Sequence, residues 1–209
     1  MSDQPFERAQ VSETEDNFAF HPYNVYLILL LIGLSVLFLE LTVSFVYTRV
    51  EKGMPPILLP PIFLFNTLIL LGSSATMVWA KRCYLADETK KYQQALIATI
   101  VLSFVFMAAQ VIAWRTLFNQ EVFINTDVSA SYLYVISGLH FAHVIGGLPF
   151  LGMFLYKAKK QMKEPVSVLV YFSDPEKRLK LRLLTIYWHF LDGLWIYLII
   201  FFYINYFIQ

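Results

Sequence analysis

The chain has 209 residues, of which 58% are hydrophobic and 15% charged, and its net charge is +1. Soluble domains carry about 25% charged residues, so the composition excludes an ordinary soluble domain. The near-neutral charge offers nothing to nucleic acid or another strongly charged partner. The single cysteine, Cys83, excludes an internal disulfide and reads as a small buried residue.

Residues 1–22 form a polar tail in which Asp3, Glu7, Glu13, Glu15 and Asp16 face a single basic residue, Arg8. A signal peptide needs a basic start and a short apolar core, so a solvated tail is expected, handing over to the first span at Pro22. Residues 23–209 then read as one all-α membrane domain. Five transmembrane helices are expected, at about 24–48, 59–80, 95–115, 131–156 and 183–207. Each is long enough for a hydrocarbon core of about 30 Å at 1.5 Å per residue. The short loops leave no room for a separate soluble domain, and no convincing internal repeat is visible.

The first span holds Glu40, with Thr42 and Ser44 close by. Glu40 is either a proton-relay carboxylate or a hydrogen-bonded side chain at a subunit contact. Pro55-Pro56 and Pro60-Pro61 stiffen the following loop and start the second helix, where the missing N–H is not needed. The second span carries Asn66, Thr67, Ser73, Ser74 and Thr76. Asn66 and Ser73 are seven apart, as are Thr67 and Ser74, which makes a polar stripe suited to helix–helix hydrogen bonding. The third span has Gln110, a candidate interhelical hydrogen-bonder, and ends at Trp114-Arg115, a pattern that fits an interface anchor.

In the fourth span Gly138, Ala142 and Gly146 form a small-residue face that permits close helix packing. His140, His143 and Gly147 lie on another face. Two histidines at this spacing are either metal or haem ligands or hydrogen-bonding groups. The absence of a nearby cysteine or Glu-x-x-His pattern speaks against ligation. Between the fourth and fifth spans, Val166-Ser167-Val168-Leu169-Val170-Tyr171 reads as a short strand or an interfacial piece, its lysine-rich flanks near anionic headgroups.

The last span contains Tyr187-Trp188-His189-Phe190-Leu191-Asp192-Gly193-Leu194-Trp195. Ionisable groups at membrane depth are costly and are kept for a reason. His189 and Asp192 share a helix face; Trp188 and Trp195, seven apart, share a neighbouring one. This side of the helix should look at protein rather than lipid. Trp188, His189, Asp192, Trp195, His140 and His143 are the candidate buried polar cluster, in contact with lipid headgroups or another subunit. If His189 and Asp192 were a charged pair, breaking it would cost about 3–5 kcal/mol.

Loop charge sets the expected orientation. Lys81, Arg82, Lys90 and Lys91 follow the second span; Lys157, Lys159, Lys160, Lys163, Lys177, Arg178, Lys180 and Arg182 follow the fourth. The other side has only Arg49, Lys52 and Arg115. The N-terminus is therefore expected in the cytoplasm and the C-terminus outside.

Together the motifs resemble subunit III of haem–copper terminal oxidases, the cytochrome c and quinol oxidase family. The last-span string is similar to the family's Y-W-H-F-x-D-x-x-W. Gly138-Leu139-His140-Phe141-Ala142-His143-Val144-Ile145-Gly146 is similar to its G-x-H-x-x-H-V-x-x-G. Asn66-Thr67 through Ser73 to Thr76, with Trp79-Ala80, resembles its N-T-x-x-L-x-x-S-x-x-T, and Gln110 fits a family glutamine. The resemblance covers about residues 20–209 and points to the short five-helix bacterial form. Two departures stand out. The carboxylate the family often carries early in the first matching span would fall near Gly33-Leu34, and its glutamate after the third-span glutamine near Ala113-Trp114. Glu40, six residues on from the first of these, is turned about 240° around the helix.

The resemblance implies a non-catalytic accessory subunit in the bacterial cytoplasmic membrane. It would stabilise subunit I and support oxygen reduction coupled to proton pumping. It also implies haem and copper in partner subunits I and II, none in this chain, and bound phospholipid. Subunits I and II are the implied partners, with a small subunit IV or a respiratory supercomplex as further ones. No catalytic residue and no metal ligand is assigned here. A small polytopic transporter or an orphan intramembrane protein is the alternative.

Overall fold

The computed structural model describes residues 22–54, 59–124, 126–162 and 164–208. The polar tail before Pro22, with His21, lies outside the described residues, as do Pro55-Pro56 and Lys163. All the regular structure among the described residues is helical: α1 (Pro22–Lys52), α2 (Ile62–Leu85), α3 (Thr89–Asn119), α4 (Val128–Gln161), α5 (Pro165–Ser173) and α6 (Pro175–Phe207). Five of the six, all but α5, are long and apolar enough to cross a membrane. They run past the expected spans at most of their ends, because the hydrogen-bonded ladder continues into polar flanks beyond the apolar stretch that marks each span in the sequence.

The helix ends have local causes. Pro60 and Pro61 open α2 by accepting from the N–H groups of Phe63 and Leu64 at 3.0 and 3.1 Å. Asp127 caps α4 by accepting from Ala130 N–H at 2.6 Å. Asp174 caps α6 by accepting from the N–H groups of Glu176 and Lys177 at 2.9 and 3.3 Å. Such caps satisfy donors that the first helical turn leaves free. After α1, α2 and α3 the chain turns through left-handed residues, Gly53, Asp87 and Glu121, at φ of 59°, 56° and 62°, a common way to end a helix.

The segment Val166–Tyr171 is not a strand. Pro165 occupies the first turn of α5 and the extended Glu164 precedes it, an arrangement that seeds a helix. Tyr171 and Phe172 are buried beside Tyr84 and Tyr92, while Val166, Leu169 and Val170 are exposed.

The described residues fall into two units, one ending at Leu37 and one beginning at Phe38. Of the first, the N-terminal half of α1 is described: a helical stretch of exposed apolar side chains in which Ser35 bonds back to Leu31 O at 2.8 Å. In the second unit, α2 packs on α3 and α6, α3 on α4, and α4 on α6, closing a ring of four helices; α5 touches α4 and α6. One end of the ring is filled by Met77, Tyr84, Tyr92, Leu151, Tyr171, Phe172 and Trp188. Further along lie Phe63, Phe106, His140 and Trp195, one from each helix.

Candidate functional site

The interior of the ring is a polar seam cut through an aromatic core. Its longest side runs between α2 and α6, which lie antiparallel. Trp195 donates its indole N–H to Thr67 Oγ1 at 3.2 Å, Trp188 donates to Ser73 Oγ at 3.0 Å, and Ser74 Oγ and His189 Nδ1 are hydrogen-bonded at 2.6 Å. The seven-residue spacing of the tryptophans on α6 thus meets the polar stripe of α2, two turns against two turns. A buried indole or hydroxyl without a partner in this setting would be expensive.

α3 closes the opposite side. Asn66 donates its side-chain N–H to Gln110 Oε1 at 2.8 Å, both residues being fully buried, and Thr76 and Thr99 share a hydrogen bond of 2.9 Å. One turn from Gln110, Phe106 meets the rings of His140 and Trp195 edge-on at 6.0 and 5.3 Å. His140 is fully buried with its ring 4.9 Å from that of Trp195. Phe63 stacks on Trp195 from α2 at 6.1 Å.

The six residues of the expected cluster are therefore placed in different ways. His140 and Trp195 are in ring contact. Trp188 and His189 are tied to α2 rather than to each other. His143 is half-buried and stands apart, its Nδ1 2.7 Å from Leu139 O and its ring edge-on to Phe38 at 6.2 Å. Its backbone carbonyl accepts from Tyr187 O–H of α6 at 2.9 Å. Asp192 is buried, and Ser74 neighbours its carboxyl. No hydrogen bond or ion pair joins His189 to Asp192, so the charged pair that their spacing allows does not form. Among the described residues, no group of three or more His, Cys, Asp or Glu side chains is placed to hold a metal ion.

The small-residue face of α4 also behaves differently from its pattern within this chain. A Cβ added at Gly138 or Gly146 would meet nothing within 4 Å, and Ala142 is exposed. Close approach falls instead to Gly147, where an added Cβ would lie 2.7 Å from Trp188 Cζ3 and 3.0 Å from Tyr187 Cε1. Trp114, whose position suggests an interface anchor, is half-buried; it donates to Ser137 Oγ at 3.0 Å and lies against Phe141 at 5.1 Å.

Several contacts were not singled out from the sequence. The C-terminal half of α1 is fastened by hydroxyl pairs, Thr42 with Tyr197 at 2.8 Å and Ser44 with Tyr132 at 2.6 Å. Arg49 donates to the backbone carbonyls of Asn205 and Ile208 at the end of α6, where a cation complements the helix dipole. The usable signal was tyrosine within an apolar span, since a buried phenol needs a partner. Glu40 is exposed on α1 and has no hydrogen-bond or ionic partner among the described residues. Cys83 is a buried free thiol.

Outside the spans, the electrostatics are simple surface chemistry. The Lys91 ammonium, 2.7 Å away, holds Glu88 below the usual carboxylate range. Burial is the largest single influence on the Asp174 carboxyl and raises it, but the N–H groups of Lys177 and Glu176 and the Lys177 ammonium together outweigh it, for a net lowering.

The family model described as cytochrome c oxidase subunit III matches residues 24–206. Relatives named cytochrome c oxidase subunit 3 include the protein of Carassius auratus, 31% identical over 135 residues, or 65% of this chain and 47% of the relative. That of Papio hamadryas is 31% identical over 137 residues, covering 66% and 48%. That of Triticum aestivum is 31% identical over 140 residues, covering 66% and 47%. The chain thus spans about half the length of the curated relatives it matches.

Proposed function

The chain belongs to the cytochrome c oxidase subunit III family, and on that premise we propose that it is a non-catalytic accessory subunit of an aerobic haem–copper oxidase. In this reading it braces subunit I, with haem and copper in subunits I and II, and so supports oxygen reduction coupled to proton pumping. The observation that carries the reading is the use made of the intramembrane polar groups. Asn66, Gln110, Ser73, Ser74, Trp188, His189 and Trp195 are hydrogen-bonded between helices of the same ring. Side chains engaged in this way hold helices in register; they do not line a path for a substrate. A transporter site, by contrast, calls for broken helices near the midplane, and the five spans are continuous.

The chain sits in this scheme with its N-terminus in the cytoplasm, in the cytoplasmic membrane of a bacterium. Phospholipid headgroups meet the lysine-rich surface around α5, where Val166, Leu169 and Val170 are exposed beside Lys160, a pairing of apolar and basic side chains suited to an anionic interface. A small subunit IV or a supercomplex partner would join through the remaining outward faces.

The test is a mild-detergent pull-down of this chain, with a haem absorption spectrum and identification of co-purifying subunits. Haem a-type bands in an intact complex that loses stability when this chain is stripped away are the expected result. A haem-free chain that isolates alone overturns the reading and favours a transporter or an orphan membrane protein.

A further inference from the structure

Glu40 is an exposed carboxyl within a span that the accessory-subunit reading leaves unused. It sits deep in α1. Residues 25–39 before it are apolar apart from Gly33 and Ser35, and Arg49 stands nine residues after it, about 14 Å along the axis at 1.5 Å per residue. The polar side chains around it on α1 face their own chain: Thr42 is bonded to Tyr197, Ser44 to Tyr132, and Arg49 to the last carbonyls of α6. Glu40 points the other way, among the exposed side chains of Leu39, Val43, Tyr47 and Val50.

Hydrocarbon offers no donor to a carboxyl, and ionisable groups in spans almost always face protein or a water-filled cavity. A side chain in this position therefore specifies what should cover it. We propose that the Leu39–Val50 face of α1 docks against a transmembrane helix of another oxidase subunit carrying a lysine or arginine at the depth of Glu40. The occupant is set by charge complementarity. A second copy of this chain does not fit: a two-fold pairing of this face sets like charges against each other, and the nearest cation on α1, Arg49, is engaged with α6. The proposal rests on the accessory-subunit reading and adds to it the face and the chemistry of the contact.

The experiment uses the purified complex with Glu40→Leu and Glu40→Gln variants, and p-benzoyl-phenylalanine placed at Val43. Retention of this chain on the haem-bearing subunits is followed through a detergent titration. Glu40→Leu should weaken retention about 30-fold or more, the lower range for leaving a buried charge unpaired, and Glu40→Gln should fall between it and wild type. The isolated Glu40→Leu chain should melt no lower than wild type, because Glu40 is exposed and makes no hydrogen bond or ion pair among the described residues; that control separates docking from folding. Photolysis should attach Val43 to a peptide of another subunit with a basic residue within one helical turn. Equal retention of wild type and Glu40→Leu, or adducts with lipid or a second copy only, overturns the proposal while wild-type co-purification keeps the accessory-subunit reading intact. A wild-type chain free of haem-bearing subunits overturns that reading and this one with it.

Discussion

Gly147 sets the tightest tolerance in the ring. The Trp188 ring that an added methyl would strike cannot retreat freely, since it is 2% exposed and its indole N–H is held by Ser73. Gly147→Ala should therefore cost about 1–3 kcal/mol, the range for overpacking a filled core. Gly146→Ala points into open space and should stay within about 0.5 kcal/mol. Unfolding equilibria of the two variants in mixed micelles measure the difference, and equal values would contradict the close approach. His189 carries a second residue-scale expectation. As half of a charged pair with Asp192, its loss would cost about 3–5 kcal/mol. Its partner is Ser74, a neutral hydroxyl on α2, and hydrogen bonds between membrane helices average about 0.6 kcal/mol with a maximum near 1.7. His189→Ala should fall in that smaller range; a loss above about 3 kcal/mol would show that the aspartate is engaged after all.

At the scale of helices, a fully buried amide pair, Asn66 with Gln110, joins α2 to α3 alongside the Thr76–Thr99 hydrogen bond. A double-mutant cycle on Asn66→Leu and Gln110→Leu should return a coupling of about 0.6–1.7 kcal/mol. A coupling of zero would mean that the amides are satisfied elsewhere. The start of α6 offers a pH-dependent case. The Asp174 carboxyl is held below its ordinary value of 3.8, so its capping contribution is complete above that value and is lost as pH falls through the lower, folded one. Asp174→Ala should cost about 1 kcal/mol at neutral pH, and the gap from wild type should close in strongly acid solution. Asp174→Asn caps without a charge and should flatten this dependence. The contrast between these helices shows what the sequence displays. The five spans were legible from their apolar length, and the stripe from Asn66 to Ser74 from its period. Period names a face, however, not the helix it meets. Which side chains Trp188 and Trp195 would find depended on α6 being the neighbour of α2, and within this chain the close approach falls to Gly147, leaving Gly138-x-x-x-Ala142-x-x-x-Gly146 as a proposed packing face for a partner. The alternation of Val166 to Tyr171 suited a strand or an interfacial piece because nothing local reveals that Tyr171 and Phe172 anchor a helix beside Tyr84.

For the whole molecule, the contacts make the charge asymmetry one-sided. Arg49 at the end of α1 reaches the last carbonyls of α6, so those two ends share a side. Tyr84 at the end of α2 donates to Tyr171 O in α5 at 3.2 Å, which sets the Lys81–Lys91 turn beside the lysines that flank α5. The basic clusters thus converge on one side, while Arg49, one of the few cations opposite, is engaged with α6. The positive-inside bias counts Lys and Arg close to the span ends, and here both large clusters lie within a few residues of them. Orientation can be read with an impermeant maleimide on right-side-out vesicles, because the native Cys83 is buried and should stay silent. Ile208→Cys, at an exposed site past α6, should label from outside. Lys90→Cys, exposed in the first turn of α3, should label only after permeabilisation. The reverse pattern would put the basic side outward, and the placement of the α5 surface against anionic cytoplasmic headgroups would fall with it, since both rest on the same charges.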